Sequence, residues 1–219
     1  DKIYVLVPLG IGLVICCASF PTWNAYPAMF ASLATGNPVI VKPHPIAVLP
    51  MAIVVRECRR VLADHGFDPN LITLAVDTLA EPVAQILVDH SAIQIVDFTG
   101  SPRYGSYLER TVTGKLLFTE TAGVNSVVIE SVADLDAVAR AIARSSSLFS
   151  AQMCTSPQVL YIAPALADAF GQALVERIDA IAADPAQAAG IMGAIQGSVS
   201  LKAVADVRAA VENRPDVQV

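Results

Sequence analysis

Cys154 lies within a short polar segment, residues 150–158, which follows an apolar helical pattern and precedes an apolar strand pattern. A thiol becomes an effective nucleophile only where its pKa is lowered and where substrate can reach it. A loop at the end of a packed element meets the second condition, because functional side chains are commonly presented from loops. Free cysteine is also among the most buried residue types, so a core position is the alternative interpretation of Cys154.

Two further polar positions accompany predicted strands. Glu120 follows an apolar run and precedes Gly123, and a carboxylate at such a strand end can act as a general base. A solvated or capping carboxylate is the alternative for Glu120. Gly100 and Ser101 form a turn that enters a predicted helix, where backbone N–H groups can bind an anion. An ordinary tight turn is the alternative there.

A cysteine hydrolase would need a histidine base beside the thiol. The chain contains three histidines, His44, His65 and His90, and all of them lie upstream in predicted helix or loop positions. This placement disfavours a cysteine hydrolase, and for His44 a surface position is the simpler interpretation.

The composition favours an α/β fold with buried strands. Apolar residues make up 54% of the chain and charged residues only 16%, as expected where helices cover both faces of a sheet. The net charge of −6, without a basic cluster, argues against a nucleic-acid partner. The four cysteines show neither metal-ligand nor disulfide spacing, so we expect no metal site and a reducing, cytoplasmic location.

A membrane span has to be considered because residues 3–41 include no charged side chain. Proline and glycine interrupt this stretch repeatedly, so no piece is long enough to cross a bilayer as a helix. Asp1 and Lys2 do not provide the basic start of a signal peptide. We therefore expect a buried core rather than a membrane partner.

Strand and helix patterns alternate along the chain. Continuous apolar runs predict strands at residues 3–7, 12–17, 38–41, 71–76, 93–97, 116–119, 126–129 and 159–162. Helices are predicted at residues 28–34, 47–65 and 82–88, from 104, and at 134–149, 166–182 and 198–211. Pro27 is expected in the first turn of the first helix. Alternation at this spacing implies βαβ crossovers and a mostly parallel sheet.

Several motifs follow one another in a fixed order. They are Trp23-Asn24, the segment G-N-P-V-I-V-K-P at 36–43, Phe98-Thr99-Gly100-Ser101 with Gly105, Glu120 with Gly123, and Gln152 with Cys154. Their order and gaps resemble those of the aldehyde dehydrogenase superfamily over essentially the whole chain. Segments 22–24, 42–45, 122–125 and 153–158 further resemble its phenylacetic acid degradation branch.

The resemblance implies two partial domains. Residues 1–121 would form a Rossmann-type NAD(P)-binding domain, and residues 122–219 would begin an α/β catalytic domain that carries the nucleophilic cysteine. We expect the chain to be a fragment of a longer protein, which would form a homo-oligomer.

The resemblance also implies catalytic roles. Cys154 would attack an aldehyde carbonyl to give a hemithioacetal. The side-chain amide of Asn24 and the backbone N–H of Cys154 would stabilise the oxyanion. After hydride transfer to a nicotinamide, Glu120 would activate the water that hydrolyses the thioester. Transfer of the acyl group to CoA stays open, although Glu120 favours water.

Five residues are expected to bind the cofactor on the same grounds. Lys42 would lie near the adenosine ribose, Trp23 and Ser101 would meet the pyrophosphate, and Gly100 and Gly105 would form the turn and helix beside it. NAD-preferring members carry a glutamate where this chain has Pro45. NADP is therefore expected as well as NAD, with His44 a possible neighbour of its phosphate.

The expected function is NAD(P)-dependent oxidation of an aldehyde or semialdehyde to a carboxylic acid, in the breakdown of phenylacetate or related aromatic acids. The alternative is a catalytically incomplete fragment that only binds nucleotide.

Overall fold

A computed structural model describes residues 2–181 and 198–215 of the chain. The chain divides into two units, Asp1–Ala122 and Gly123–Val219. Each unit is described by itself below.

The first unit is built on a five-stranded sheet. In chain order its elements are β1 (Ile11–Ile15), α1 (Pro21–Ala34), β2 (Val39–Lys42), α2 (Val48–Asp64), β3 (Ile72–Leu74), α3 (Ala84–Asp89), β4 (Ile93–Gly100), α4 (Pro102–Thr111) and β5 (Leu116–Thr121). The strand order is β3-β2-β1-β4-β5, and each neighbouring pair is parallel. The predicted parallel α/β sheet is confirmed, with a topological switch point between the carboxyl ends of β1 and β4.

Helices cover both faces of this sheet. Val14 of β1 and Cys16, which follows this strand, belong to a core that includes residues of α1 and α2. Leu13 and Ile15 belong to a second core with residues of α3 and α4. Successive side chains of a strand point to opposite faces, so β1 must be apolar at every position. This explains the uninterrupted apolar run.

The second unit has a smaller core. Its elements are β6 (Ser126–Ile129), α5 (Leu135–Ser147), β7 (Val159–Ile162), α6 (Ala167–Asp179) and α7 (Ser198–Glu212). Strands β6 and β7 pair in parallel. Ile129 packs with Ile142 of α5 and with the fully buried Phe170 of α6.

The prediction of a buried strand at residues 3–7 is wrong. Ile3–Val7 forms no regular structure, and its side chains are 67% to 92% exposed. A strand needs a neighbour for its backbone N–H and C=O groups. Within the described residues no strand pairs with this run. Apolar composition alone therefore did not identify a strand here.

The predicted position of Pro27 is also wrong. Helix α1 begins at Pro21, and Pro27 lies inside it. Pro21 occupies the first turn, where a missing N–H costs nothing. The earlier start places Trp23 and Asn24 in the first turn of α1, just after the carboxyl end of β1.

Other element ends shift by a few residues. Strands β4 and β5 extend to Gly100 and Thr121, so that Glu120 lies inside a strand rather than after one. Helix α6 ends at Asp179, and residue 182 lies outside the described residues. In the described parts of the chain, no helix combines the length and apolar character needed to span a membrane.

Candidate active site

The carboxyl edge of the five-stranded sheet gathers the site residues predicted in the first unit. Lys42 ends β2, Gly100 ends β4 and Ser101 follows it, while Glu120 is the penultimate residue of β5. Trp23 and Asn24 lie in the first turn of α1, which follows β1. Because all five strands run parallel, their carboxyl ends lie at one edge. Ligands of open α/β sheets bind at this edge.

Asn24 and Glu120 are in direct contact. Asn24 Nδ2 donates a hydrogen bond to Glu120 Oε1 at 3.3 Å, which joins α1 to β5. Cys17 Sγ donates to Asn24 Oδ1 at 3.8 Å. An ionised carboxylate can only accept hydrogen bonds, so the Asn24 side chain is oriented with its amide nitrogen facing Glu120. Asn24 is thus held as a donor toward the carboxyl edge.

Asp97 is a second carboxylate near Glu120 that the sequence analysis missed. It pairs in register with Val14 of β1 and Phe118 of β5. Burial first, and the charge of Glu120 second, together raise the pKa of Asp97 from 3.8 to about 6. A lone aspartate within the apolar run of β4 was the available signal.

Cys16 is excluded as a nucleophile by its surroundings. Its side chain is buried in the core beneath α1 and α2. Burial, followed by the influence of Cys17 and Asp97, raises the pKa of Cys16 to about 12. A thiol with this pKa is almost entirely protonated near neutral pH, so it contributes packing rather than chemistry.

Lys42 forms a buried ion pair with Asp77. Lys42 Nζ lies 2.7 Å from Asp77 Oδ1, and the two side chains are 8% and 1% exposed. The other carboxylate oxygen of Asp77 accepts a hydrogen bond from the backbone N–H of Val83 at 3.0 Å. Asp77 follows β3, so pairing of β2 with β3 brings the two charges together. Sequence reasoning assigned no role to Asp77.

The F-T-G-S turn begins helix α4. Ser101 is its N-cap, and its side chain accepts a hydrogen bond from the backbone N–H of Tyr104 at 3.4 Å. A Cβ added at Gly105 would lie 2.5 Å from Thr121 Cγ2, and one at Gly100 would lie 2.6 Å from Phe98 Cζ. Gly105 therefore permits close packing of α4 on β5, and Gly100 leaves room for the ring of Phe98 in its own strand. The indole of Trp23 is 66% exposed in the first turn of α1.

Cys154 lies in the second unit, in a loop that Asn125 anchors. The thiol-bearing residue is partly exposed, and the backbone N–H of Ser156 closes a turn onto Met153 O at 3.2 Å. Asn125 Nδ2 donates to the carbonyl oxygens of Cys154 at 2.6 Å and Ser156 at 3.0 Å. One side chain thus fixes the backbone on both sides of the turn, a role that sequence reasoning did not assign.

The residues that precede this loop have an unusual backbone. Three successive residues have positive φ values, 51° at Phe149, 58° at Ser150 and 59° at Ala151. Residues other than glycine rarely adopt this left-handed region. Gln152 Nε2 donates to Phe149 O at 3.1 Å. The glutamine of the Q-x-C motif therefore helps to hold a strained turn just before Cys154.

None of the three histidines lies in the unit that carries Cys154. His44 follows β2, and its pKa is lowered by burial and then by the charge of Lys42, with Asp77 acting in the opposite direction. His65 and His90 follow the ends of α2 and α3.

Comparison with known proteins places the chain in a family. Residues 1–216 match the sequence model of the aldehyde dehydrogenase family. The structure is similar to that of an NAD-dependent aldehyde dehydrogenase from Burkholderia multivorans, with 45% identity and a TM-score of 0.83. That similarity covers 93% of this chain and 38% of the Burkholderia chain.

Relatives with similar sequences support the same family. An aldehyde dehydrogenase of Fusarium, LUC3, is 33% identical over 171 residues, which are 77% of this chain and 34% of the relative. A 1-pyrroline-5-carboxylate dehydrogenase of Geobacillus kaustophilus is 30% identical over 201 residues, which are 88% of this chain and 38% of the relative. The chain thus spans little more than a third of the length of these relatives. It belongs to the aldehyde dehydrogenase family.

Proposed function

We propose that this chain provides the cofactor-binding sheet and the nucleophile of an NAD(P)-dependent aldehyde dehydrogenase. Residues 1–121 would bind the dinucleotide, and residues 122–219 would begin the catalytic domain. The observation that carries the proposal is the contact of Asn24 with Glu120, which places an amide donor and a carboxylate base together in a chain of this family. The reaction oxidises an aldehyde to a carboxylic acid.

The donors at the carboxyl edge suit a dinucleotide. The N-terminus of α4 at Ser101 presents backbone N–H groups, which favour a pyrophosphate. Lys42 offers an ammonium at the end of β2 for ribose hydroxyls, and the exposed Trp23 ring lies in the first turn of α1. The bound nicotinamide would serve as hydride acceptor. The Burkholderia relative is NAD-dependent, which supports NAD.

Each catalytic residue has a defined task. The Cys154 thiolate attacks the carbonyl carbon, so a C–S bond forms as the C=O π electron pair moves onto oxygen. Asn24 donates an N–H to that oxyanion. An amide nitrogen has two protons, so Asn24 can serve Glu120 and the oxyanion together. Loss of a hydride from the carbon would leave a thioester. Glu120 takes a proton from the water that cleaves it, which releases the carboxylic acid and the Cys154 thiol.

The substrate is an aldehyde or semialdehyde from phenylacetate or related aromatic-acid breakdown. The resemblance of segments 22–24, 42–45, 122–125 and 153–158 to proteins of phenylacetate degradation supports this choice. A cytoplasmic location is proposed with it, since free cysteines suit a reducing compartment. The homo-oligomer is proposed on the family resemblance alone.

A second candidate function is nucleotide binding without turnover. It is favoured by one observation, namely that the chain spans only 38% of the length of the Burkholderia enzyme. A cysteine hydrolase is not supported, because the chain belongs to the aldehyde dehydrogenase family.

Reduction of NAD and NADP by the full-length protein tests the proposal, with a panel that includes aromatic aldehydes, their ring-opened semialdehydes and 1-pyrroline-5-carboxylate. Cys154→Ala should abolish turnover and retain cofactor binding. Cys58→Ala is the matched control, since Cys58 is a partly exposed cysteine on α2, and it should keep turnover. Turnover that is indifferent to Cys154 would contradict the mechanism, and binding without turnover would favour the second candidate.

A further inference from the structure

The Lys42–Asp77 ion pair lies where the proposed function places the adenosine ribose. Its two charges are 2.7 Å apart and almost completely withdrawn from solvent. The second oxygen of Asp77 is held by the N–H of Val83. Asp77 therefore has one fixed orientation beside Lys42.

The pair leaves little positive charge at this end of the site. An unpaired ammonium attracts a phosphate, whereas an ammonium with a carboxylate at contact distance has its field largely cancelled. His44, two residues after Lys42, does not restore positive charge, because burial and Lys42 both lower its pKa. Pro45, where NAD-preferring members have glutamate, carries no charge.

We propose that Asp77 is a specificity-determining residue that makes this site prefer NAD over NADP. The inference rests on the proposed function, which puts Lys42 at the ribose. An ammonium has three donors, so Lys42 can bind Asp77 and still donate to a ribose hydroxyl. A 2′-phosphate would instead bring a charge of about −1.5 to −2 toward the Asp77 carboxylate in a poorly screened setting. Asp77 thus supplies a carboxylate at this end of the site from the segment that follows β3.

Binding titrations of NAD and NADP on the full-length protein, followed by tryptophan fluorescence or calorimetry, test the proposal. The parent protein should bind NADP at least about tenfold more weakly than NAD. Asp77→Asn keeps an oxygen for the Val83 N–H and removes the charge, so the ratio of the two Kd values should fall by about tenfold, chiefly through tighter NADP binding. Asp77→Glu keeps the charge and should keep the preference.

A preference unchanged in Asp77→Asn, or a parent protein that favours NADP, would overturn the inference. If Asp77→Asn does not fold, the predicted preference is still tested on the parent protein, where adenine nucleotides compete with bound NAD. There, 5′-AMP should compete about tenfold more strongly than adenosine 2′,5′-bisphosphate. Equal or stronger competition by the bisphosphate would overturn the inference. Failure of the parent protein to bind either dinucleotide would instead contradict the cofactor site itself, and the inference with it.

Discussion

The amide nitrogen of Asn24 donates to a carboxylate oxygen of Glu120 across 3.3 Å, although 96 positions separate the two residues in sequence. Only the parallel arrangement of β1, β4 and β5 brings the first turn of α1 beside the end of β5. The contact orients the Asn24 amide as a donor, and Cys17 holds its oxygen from the other side. The proposed oxyanion donor and the proposed base are therefore hydrogen-bonded to each other.

Replacing Asn24 by alanine removes the proposed donor to the oxyanion. We expect kcat to fall by about 10²- to 10³-fold, because a donor directed at developing charge acts mainly in the transition state. The Kd for NAD should change little. Steady-state kinetics and a cofactor titration on the same preparation measure both quantities. A loss of NAD binding equal to the loss of kcat would show that Asn24 has a structural role.

Gly105 should be intolerant of alanine for steric reasons. The new methyl group would meet Thr121 Cγ2 at 2.5 Å, so we expect Gly105→Ala to lower the free energy of unfolding by about 1–3 kcal/mol. Thr121→Ser removes that methyl group and should restore part of the loss in the double variant. Urea unfolding measures each difference.

Gly171 provides the control for this prediction. It lies in α6, where an added Cβ would contact nothing within 4 Å. Gly171→Ala should therefore raise the free energy of unfolding by about 0.5–1 kcal/mol through helix propensity. Equal effects of alanine at both glycines would contradict the packing explanation.

Asp97 should make the protein less stable as the pH rises. Its pKa is 3.8 ordinarily and about 6 in the folded chain, because of burial first and Glu120 second. Between these values the folded state holds more protons than the unfolded state, so the free energy of unfolding falls with rising pH. The loss of unfolding free energy caused by ionisation of Asp97 is absent below about pH 4 and complete above about pH 6.

Asp97→Asn should remove this dependence. The variant should exceed the parent by on the order of 1–2 kcal/mol at pH 8, and the difference should disappear toward pH 4. Urea midpoints at the two pH values measure it. A difference that is the same at pH 4 and pH 8 would show that ionisation of Asp97 is not the cause.

Asn125 should control the loop of Cys154. Asn125→Ala removes two hydrogen bonds, to the carbonyl oxygens of Cys154 and Ser156, and should lower the free energy of unfolding by about 1–3 kcal/mol. We expect kcat to fall by about tenfold or more, since small misplacement of a nucleophile is costly. The rate at which iodoacetamide alkylates Cys154 should change too. The Cys154→Ala variant measures the background alkylation of the other cysteines. Unaltered alkylation and kcat would exclude a positioning role.

The sequence could predict the fold because each element satisfies a local rule. The run of β1 contains no polar side chain, as a strand buried on both faces requires. Gly36 and Gly66, which follow the ends of α1 and α2, have φ values of 81° and 77°, a conformation that glycine adopts most easily. The motif order then located the carboxyl edge and Cys154.

Contacts between distant residues could not be predicted in this way. The Lys42–Asp77 pair depends on the pairing of β2 with β3, and the anchor from Asn125 depends on β6 lying beside β7. Each contact is created by strand pairing, which neighbouring residues do not encode. The run Ile3–Val7 shows the converse, because its composition suited a strand but no described strand pairs with it.

In the proposed mechanism Cys154 forms a thioester, which Glu120 then helps to hydrolyse. Glu120→Gln retains an oxygen for the Asn24 amide and loses the base, so the acyl group should accumulate. Peptide mass spectrometry of this variant, after incubation with NAD and an accepted aldehyde, measures the adduct directly. We expect an acyl group on the peptide that contains Cys154. An adduct on Cys17 or Cys58, or no adduct while NADH still forms, would contradict this mechanism.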